Sequence, residues 1–484
     1  MNKTQYVGLG GGIDLMTPPR QVKAGQCLYA INYECPVTGG YRRISGYTKL
    51  GGTLPGTGPV LGVCTFKDEY FAIRQDGATS KLYKLDDGTW TSIGTVPTGR
   101  YEFAEGNFLA TEAGRSLLMV GGAKPYQLKD GTLSEIADAM TGAKYIAIHQ
   151  NHLMLGYPQG SLQHSGIGDP LNWDAATGGA GEIGTSGALT GLINGTGGVL
   201  HIPGRDNIKT LYGSSSANFE LRTTIPNSGA KPYSIQSLIQ PYYVAERGIS
   251  NLQAAQEFGD FRQMQTGAEI EPLFTEEGYA ERVQCSSISK RRAQYRVFFD
   301  DGSGVYLSPT GATTVSFLNK PQVMHAGEFT SGEESVLFGD DVGNVYRLGN
   351  GAQSFAGEPI RAILTLAYTD LGQSSVIKRF RRVFWDVRSG SNASMTFRPD
   401  FDFGGGENAA SLRQTLVFLL GGGLWSVGKW DEFAWSAPVI AQEPADVTGS
   451  GTAINFAIYS NGISEPHELL GYDLVYSNRR LRRG

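Results

Sequence analysis

The sequence predicts an all-β chain whose main body is a β-propeller of about seven blade-like units. Its glycine-rich composition, its strand-length apolar runs and the regular recurrence of the turns between them carry that reading. Glycine accounts for 67 of 484 residues, roughly double the usual share of about 7%. Charged residues are only 18% of the chain, while 23 Tyr and 22 Phe supply the side chains that suit half-buried strands. Apolar residues reach 40% and the net charge is only −5, so the chain is predicted to fold rather than stay disordered. At 484 residues it is long enough for two or three domains.

Residues 1–58 read as an extended N-terminal arm with peripheral strands. The Gly10-Gly11-Gly12 run leads to Pro18-Pro19, and a double proline keeps the backbone extended. A strand over Ala30-Ile31-Asn32-Tyr33-Glu34-Cys35 and a Gly-rich turn follow, and then Tyr41-Arg42-Arg43-Ile44. Arg42 and Arg43 are either a subunit contact or solvated residues of an edge strand.

The propeller is expected over residues 59–356. Val60-Leu61-Gly62-Val63-Cys64-Thr65-Phe66 turns at Lys67-Asp68 into Tyr70-Phe71-Ala72-Ile73. Asp76-Gly77 leads to Lys81-Leu82-Tyr83-Lys84-Leu85, and Asp86-Asp87-Gly88 to Thr89-Trp90. Four apolar runs joined by Asp-Gly turns make one antiparallel sheet. The cadence recurs at 103–133, 143–174, 187–223, 234–262, 279–318 and 322–349. That interval, roughly 35–45 residues, is the length of a propeller blade. Radial stacking covers both faces of each sheet; a series of sandwiches is the competing arrangement. Helix is expected only as short turns, for instance at 134–138, and 225–235 and 262–279 read as loops. Longer strands follow from 357 to 484, and they predict a C-terminal β-sandwich of about 125 residues.

No catalytic phrase stands out. Asp400 and Asp402 alternate with Phe401 and Phe403, which would put two carboxylates on one strand face. Such a pair serves a glycosidase or a cation site, but a solvated face opposite a core face gives the same pattern. His149, His152 and His164 lack metal-ligand spacing and read as turn or surface residues. Asp86-Asp87-Gly88, Asp300-Asp301-Gly302 and Asp340-Asp341 read as hairpin turns, because they lack the alternating oxygen ligands of a calcium loop. Cys27, Cys35, Cys64 and Cys285 have neither metal spacing nor the density of a disulfide framework, and reduced thiols are expected. Residues 1–12 carry one early lysine and no apolar segment, so no secretory signal is expected. The Ser-x-Asp-x-Gly-x-x-Trp turn of sialidase-like propellers and the Gly-x-Ser-x-Gly elbow are missing. The chain is therefore expected to be no enzyme and to carry no cofactor or metal. An acidic balance argues against an ordinary nucleic-acid-binding domain. The basic clusters Lys378, Arg379, Arg381, Arg382 and Arg479, Arg480, Arg482, Arg483 are either solvated or meet phosphates or acidic residues of a neighbouring subunit.

Phrases scattered over most of the chain resemble tail proteins of short-tailed bacteriophages, of the nozzle or tubular kind. They are GGYRRISGY (39–47), HLMLGYPQG (152–160), GDPLNW (168–173), LTGLINGTGGVLHIP (189–203), IKTLYGSSSANFELR (208–222), KRFRRVFWDV (378–387), FRPDFDFG (397–404) and ELLGYDLVYSNRRLRRG (468–484). The resemblance implies a structural virion protein, made in the host cytoplasm and located in the tail. It would form a homo-oligomeric ring, a hexamer, below the head-to-tail adaptor, and the genome would leave through its channel without sequence-specific binding. No membrane span is expected, because no run of about 18 apolar residues exists. The alternative is a propeller-type glycosidase or carbohydrate-binding virion protein. It would need carboxylates and aromatics converging at the propeller's centre, with one carboxyl pKa raised. A cellular propeller scaffold is a third reading, but the WD and Kelch phrases are missing.

Overall fold

A computed structural model of the protein describes residues 2–108, 114–254, 261–389, 393–403, 414–418 and 441–481. The chain divides into two compact units: residues 49–303 with 319–348, and residues 1–48 with 304–318 and 349–484. The first is a propeller and the second a two-sheet sandwich, so the all-β expectation holds.

Blade 1 of the propeller unit is the antiparallel sheet Val60–Phe66, Glu69–Asp76, Thr79–Asp86 and Thr89–Pro97. Blade 2 is Glu102–Asn107, Arg115–Val120, Tyr126–Lys129 and Thr132–Glu135. Blade 3 is Tyr145–His149, His152–Tyr157, Ser161–His164 and Gly181–Gly184. Blade 4 is Ile193–Asn194, Leu200–Pro203, Ile208–Tyr212 and Glu220–Ile225, and blade 5 is Gln236–Ser237, Pro241–Ala245, Gly248–Ala254 and Phe261–Gln265. Blade 6 begins with the hairpin Val283–Ser289 and Gln294–Phe299. Blade 7 is Val323–Glu328, Glu334–Gly339, Val345–Leu348 and Tyr47–Lys49, the strand at which the unit begins.

Asp87 and Gly88, like Asp130 and Gly131, both have positive φ, the geometry that two-residue hairpin turns demand. Second strands such as His152–Tyr157 and Leu200–Pro203 are buried at every residue. They show no alternation because each blade has a neighbour on both faces, as in other doubly covered sheets.

The ring is closed by packing. Apolar clusters join blade 1 to 2 through Phe71 and Leu117, 2 to 3 through Leu118 and Leu153, 3 to 4 through Met154 and Leu200, and 4 to 5 through Ile208 and Tyr243. The Tyr295 hydroxyl donates to the Ser234 carbonyl at 2.6 Å, tying blade 6 to the loop that leads into blade 5, and the Ser289 hydroxyl donates to Glu334 of blade 7 at 2.8 Å. Val63 and Ala72 of blade 1 then share a cluster with Leu337 and Val345 of blade 7. At that seam the buried Arg74 donates to the carbonyls of Gly58, Leu54 and Val342. Gly339 lies so close to Val60 that a Cβ there would meet a Val60 methyl at 2.4 Å.

In the second unit, one sheet has the order Tyr33–Glu34, Tyr41–Arg43, Glu468–Leu481, Val376–Arg388, Ala441–Gly451, with Lys3–Gly8 also paired to Glu468–Leu481. The other runs Gly311–Ser316, Cys27–Ile31, Ile360–Leu366, Ile454–Gly462, Ala393–Phe401, Gln414–Phe418. Trp385 of the first sheet, fully buried, lies 5.6 Å from Phe397 and 5.1 Å from Phe456 of the second, measured between ring centres. The sandwich therefore draws strands from both ends of the chain. Within residues 1–58, read from the sequence as an arm with peripheral strands, Lys3–Gly8, Cys27–Ile31, Tyr33–Glu34 and Tyr41–Arg43 are strands of these two sheets, and Tyr33, Tyr41 and Ala30 are fully buried there. Helix is confined to short pieces, but residues 134–135 are strand, and the described α-helices are Ala175–Gly178 and Glu271–Thr275. No described helix is long and apolar enough to cross a membrane.

Candidate functional site

The first strands of blades 2 and 7 are only partly buried. Glu102 on blade 2 is one such residue, half-buried beside Tyr145 and Tyr233. Burial pushes its carboxyl up to about 7, with the Arg100 charge and the Ile146 N–H opposing. His325 on blade 7 has Nε2 3.4 Å from the Thr65 hydroxyl, and burial lowers its imidazole to about 4.

The segments that connect successive blades gather around a cavity of about 750 Å3. Its wall carries the cations Arg100, Lys144, Arg205 and Lys231 and the carboxylates Asp206, Glu246 and Glu281. The Arg100 guanidinium stacks 3.6 Å over the Tyr233 ring and donates to the Gln284 carbonyl at 2.6 Å. Lys231 is held between Glu246 and Glu281. Lys144 and Arg205 are exposed and form no ion pair with a described carboxylate. Nothing in the sequence marked these residues, because they lie on connectors and hairpins of different blades that only the ring brings together.

The three histidines singled out in the sequence are not on the surface. His149, His152 and His164 are all at least nine-tenths buried. His152 and His164 have Nδ1 at 2.7 and 3.2 Å from the same Ser165 carbonyl, and both rings pack edge-on against Phe219. Blades 3 and 4 enclose them, which a turn-based reading could not anticipate. No group of three metal-ligating side chains occurs among the described residues.

Asp400 and Asp402 do not share a solvated face. Asp400 accepts from the Tyr368 hydroxyl at 2.8 Å and is nearly buried. Asp402 lies beyond the end of its strand with φ 53°, where Oδ1 accepts from the Thr452 N–H at 2.6 Å and the Thr452 hydroxyl at 2.7 Å. The alternation stops at Phe401, so the strand rule no longer applies to Asp402. The aspartate turns do behave as hairpin turns: Asp301 caps Ser303, and the buried Asp340 accepts from the Val342 and Asn344 N–H groups and the Tyr346 hydroxyl. All four cysteines are free and buried, and burial raises each thiol.

The basic residues separate into two kinds. Arg43 is fully buried and donates to the carbonyls of Gly462 and Ser464. Lys378 is equally buried, its ammonium donating to the carbonyls of Gln373, Val376 and Thr452 at 2.7, 3.2 and 2.9 Å. Neither is available to a partner, because both side chains are fully buried inside the sandwich. Arg42 is partly exposed and paired to the buried Glu34 at 2.7 Å.

Arg379, Arg381, Arg382 and Arg479 are exposed. The strand Val376–Arg388 has a bulge between Phe380 and Arg382, and an extra residue there interrupts the strict alternation of faces. Arg381 and Arg382 are thus both outward, beside a cleft of about 480 Å3 also lined by Phe384, Asp446 and Val475. Asp446 pairs with Arg382 at 3.1 Å and is the one acid lining this cleft among the described residues. Arg480 contributes its backbone opposite Ile377, and Arg482 and Arg483 lie outside the described residues.

No known family model matches the sequence, and no curated protein matches it. Among solved structures, the chain is similar to Raptor of Chaetomium thermophilum, with 12% identity and a TM-score of 0.44 over 64% of this chain and 30% of that one. The chain thus spans under a third of Raptor's length. It is similar to the WD40 propeller domain of Doa1, with 12% identity and a TM-score of 0.44 over 63% of this chain and 97% of that one. A third similar structure is virginiamycin B lyase from Staphylococcus aureus, with 12% identity and a TM-score of 0.44 over 62% and 98% of the two chains.

Proposed function

We propose that the chain is a structural protein of a bacteriophage tail, a non-enzymatic component of a homo-oligomeric nozzle or tube below the head-to-tail adaptor. In this reading the ring is a hexamer, and the genome passes its channel without sequence-specific contact. The succession of phrases shared with short-tailed phage tail proteins supports it. The observation that carries it is the outward row Arg379, Arg381 and Arg382, mounted on a strand whose other face is the sandwich core. A cationic row fixed to rigid backbone with a single acid in its cleft suits an acidic surface on a neighbouring subunit or on the adaptor. Light scattering of the purified chain, alone and with tail subassemblies, tests this. A ring is expected, weakened by Arg379→Glu with Arg381→Glu; a chain that stays monomeric under all conditions overturns it.

One observation favours the second reading, a propeller-type glycosidase or carbohydrate-binding virion protein. Glu102 is a carboxyl raised toward neutrality beside a polar cavity, the state a general acid requires. Hydrolysis of capsular or surface polysaccharide by the native chain but not by Glu102→Gln would establish it.

A further inference from the structure

The cavity among the blade connectors lies within the range of small-molecule sites, about 300–1,000 Å3. Its chemistry is more selective than its size. We propose that it binds an acidic sugar, meaning a polyhydroxylated body of hexose size that bears one carboxylate or phosphate.

Three features of the wall converge on that ligand. Lys144, on the connector into blade 3, and Arg205, in the hairpin of blade 4, are exposed cations without an ion pair to any described carboxylate. They supply the charge-assisted donors that a carboxylate or phosphate takes up. Thr190 lines the same cavity, and its hydroxyl is buried without a hydrogen-bond partner. A buried hydroxyl without a partner is costly, and a small shift of this side chain toward a bound ligand would remove the deficit. Glu246 and Glu281, which share Lys231, keep about 70% of their side-chain surface exposed, so lone pairs remain to accept from sugar hydroxyls. Asp206 adds a further acceptor.

The mixture of charges decides between ligand types. A bare inorganic anion meets three carboxylates along with the cations. A neutral sugar leaves Lys144 and Arg205 unmatched. A sugar acid places its anion on the cations and its hydroxyls on the carboxylates. The assignment concerns the propeller unit alone and does not rest on the tail reading.

Titration calorimetry of the full chain with D-glucuronate, D-glucose 6-phosphate, D-glucose and inorganic phosphate tests it, the first two probes separating carboxylate from phosphate recognition. Saturable binding of at least one acidic sugar is expected, with glucose and inorganic phosphate weaker by about tenfold or more. The double variant Lys144→Ala with Arg205→Ala, both exposed and so expected to keep the melting temperature, should lose about tenfold or more in affinity. Thr190→Val should weaken binding while the chain stays folded. No saturable binding of either acidic sugar overturns the proposal. So does equal affinity for glucose, equal affinity for phosphate (an adventitious ion only), or undiminished binding by a folded double variant.

Discussion

The two units hold their buried charge in opposite places. In the propeller, Arg74 and Asp340 sit at the seam between blades 1 and 7, where Arg74 reaches three carbonyls and Asp340 organises the turn that presents one of them. In the sandwich, Arg43 and Lys378 lie within one sheet and reach carbonyls at strand ends. A buried ion costs several kcal/mol unless hydrogen bonds replace its water. Arg74 and Asp340 place that cost where the ring must choose its closing partner, and Arg43 and Lys378 place it where strands from distant parts of the chain end. The apolar packing differs too: the ring divides its core into clusters between successive blades, whereas the sandwich concentrates aromatic rings around Trp385.

The largest expected effect follows from that concentration. Trp385→Ala removes a fully buried ring in contact with Phe397, Phe456 and Tyr472, and should cost about 3–5 kcal/mol in denaturant unfolding. A loss under about 1 kcal/mol would mean that the sandwich core can refill the space, against the usual behaviour of close-packed interiors.

The seam of the propeller comes next. Arg74→Met leaves three carbonyls to find other donors, and should cost about 2–4 kcal/mol. Gly343→Ala attacks the same contact from the other side, since its φ is +92° and a Cβ there would fall about 2.0 Å from the Arg74 guanidinium. If both variants unfold like the parent chain, the seam is not where the ring is held.

Acid separates the units less than it tests their histidines, which are buried or half-buried in both. Burial holds His201 and His325 at about 4 and His467 at about 3, whereas unfolded histidine titrates near about 6.5. The unfolded chain therefore binds protons first. The stability these groups contribute is complete above about pH 6.5 and declines as pH falls toward about 4. Glu102 works in the other direction: its folded carboxyl is raised to about 7, so its protonation favours the fold as pH drops from there toward the unfolded value. Melting curves from pH 8 to 4 should show a net decline below about pH 6.5, and Glu102→Gln should raise stability most at the alkaline end. A flat profile for the parent chain would show that the histidines are hydrated.

The architecture was legible because its signals are local. Asp-Gly turns between apolar runs mark hairpins, and their spacing marks blades, as in blade 1, where the expected runs coincide with the observed strands. What was not legible depends on distant residues. Arg43 and Lys378 look in the sequence like members of basic clusters, and only Gly462, Ser464 and Thr452, far along the chain, turn them inward. His152 reads as a turn residue until Phe219 from another blade covers it. The cavity was invisible for the same reason, since Lys144 comes from the connector into blade 3 and Arg205 from a hairpin of blade 4.

The smallest effect is the sharpest test of how the basic clusters divide. Lys378→Met keeps the stem but leaves three carbonyls without their donor, and should cost about 1–3 kcal/mol. Arg379→Ala and Arg381→Ala, beside it on the same strand, should each change stability by no more than about 0.5 kcal/mol, as exposed residues do. The alternation of the strand is responsible: Lys378 and Phe380 point into the sandwich, and Arg379 and Arg381 point out. If Arg379→Ala or Arg381→Ala destabilises the isolated chain as much as Lys378→Met does, those guanidiniums are committed within the chain. They would then not be free for a neighbouring subunit.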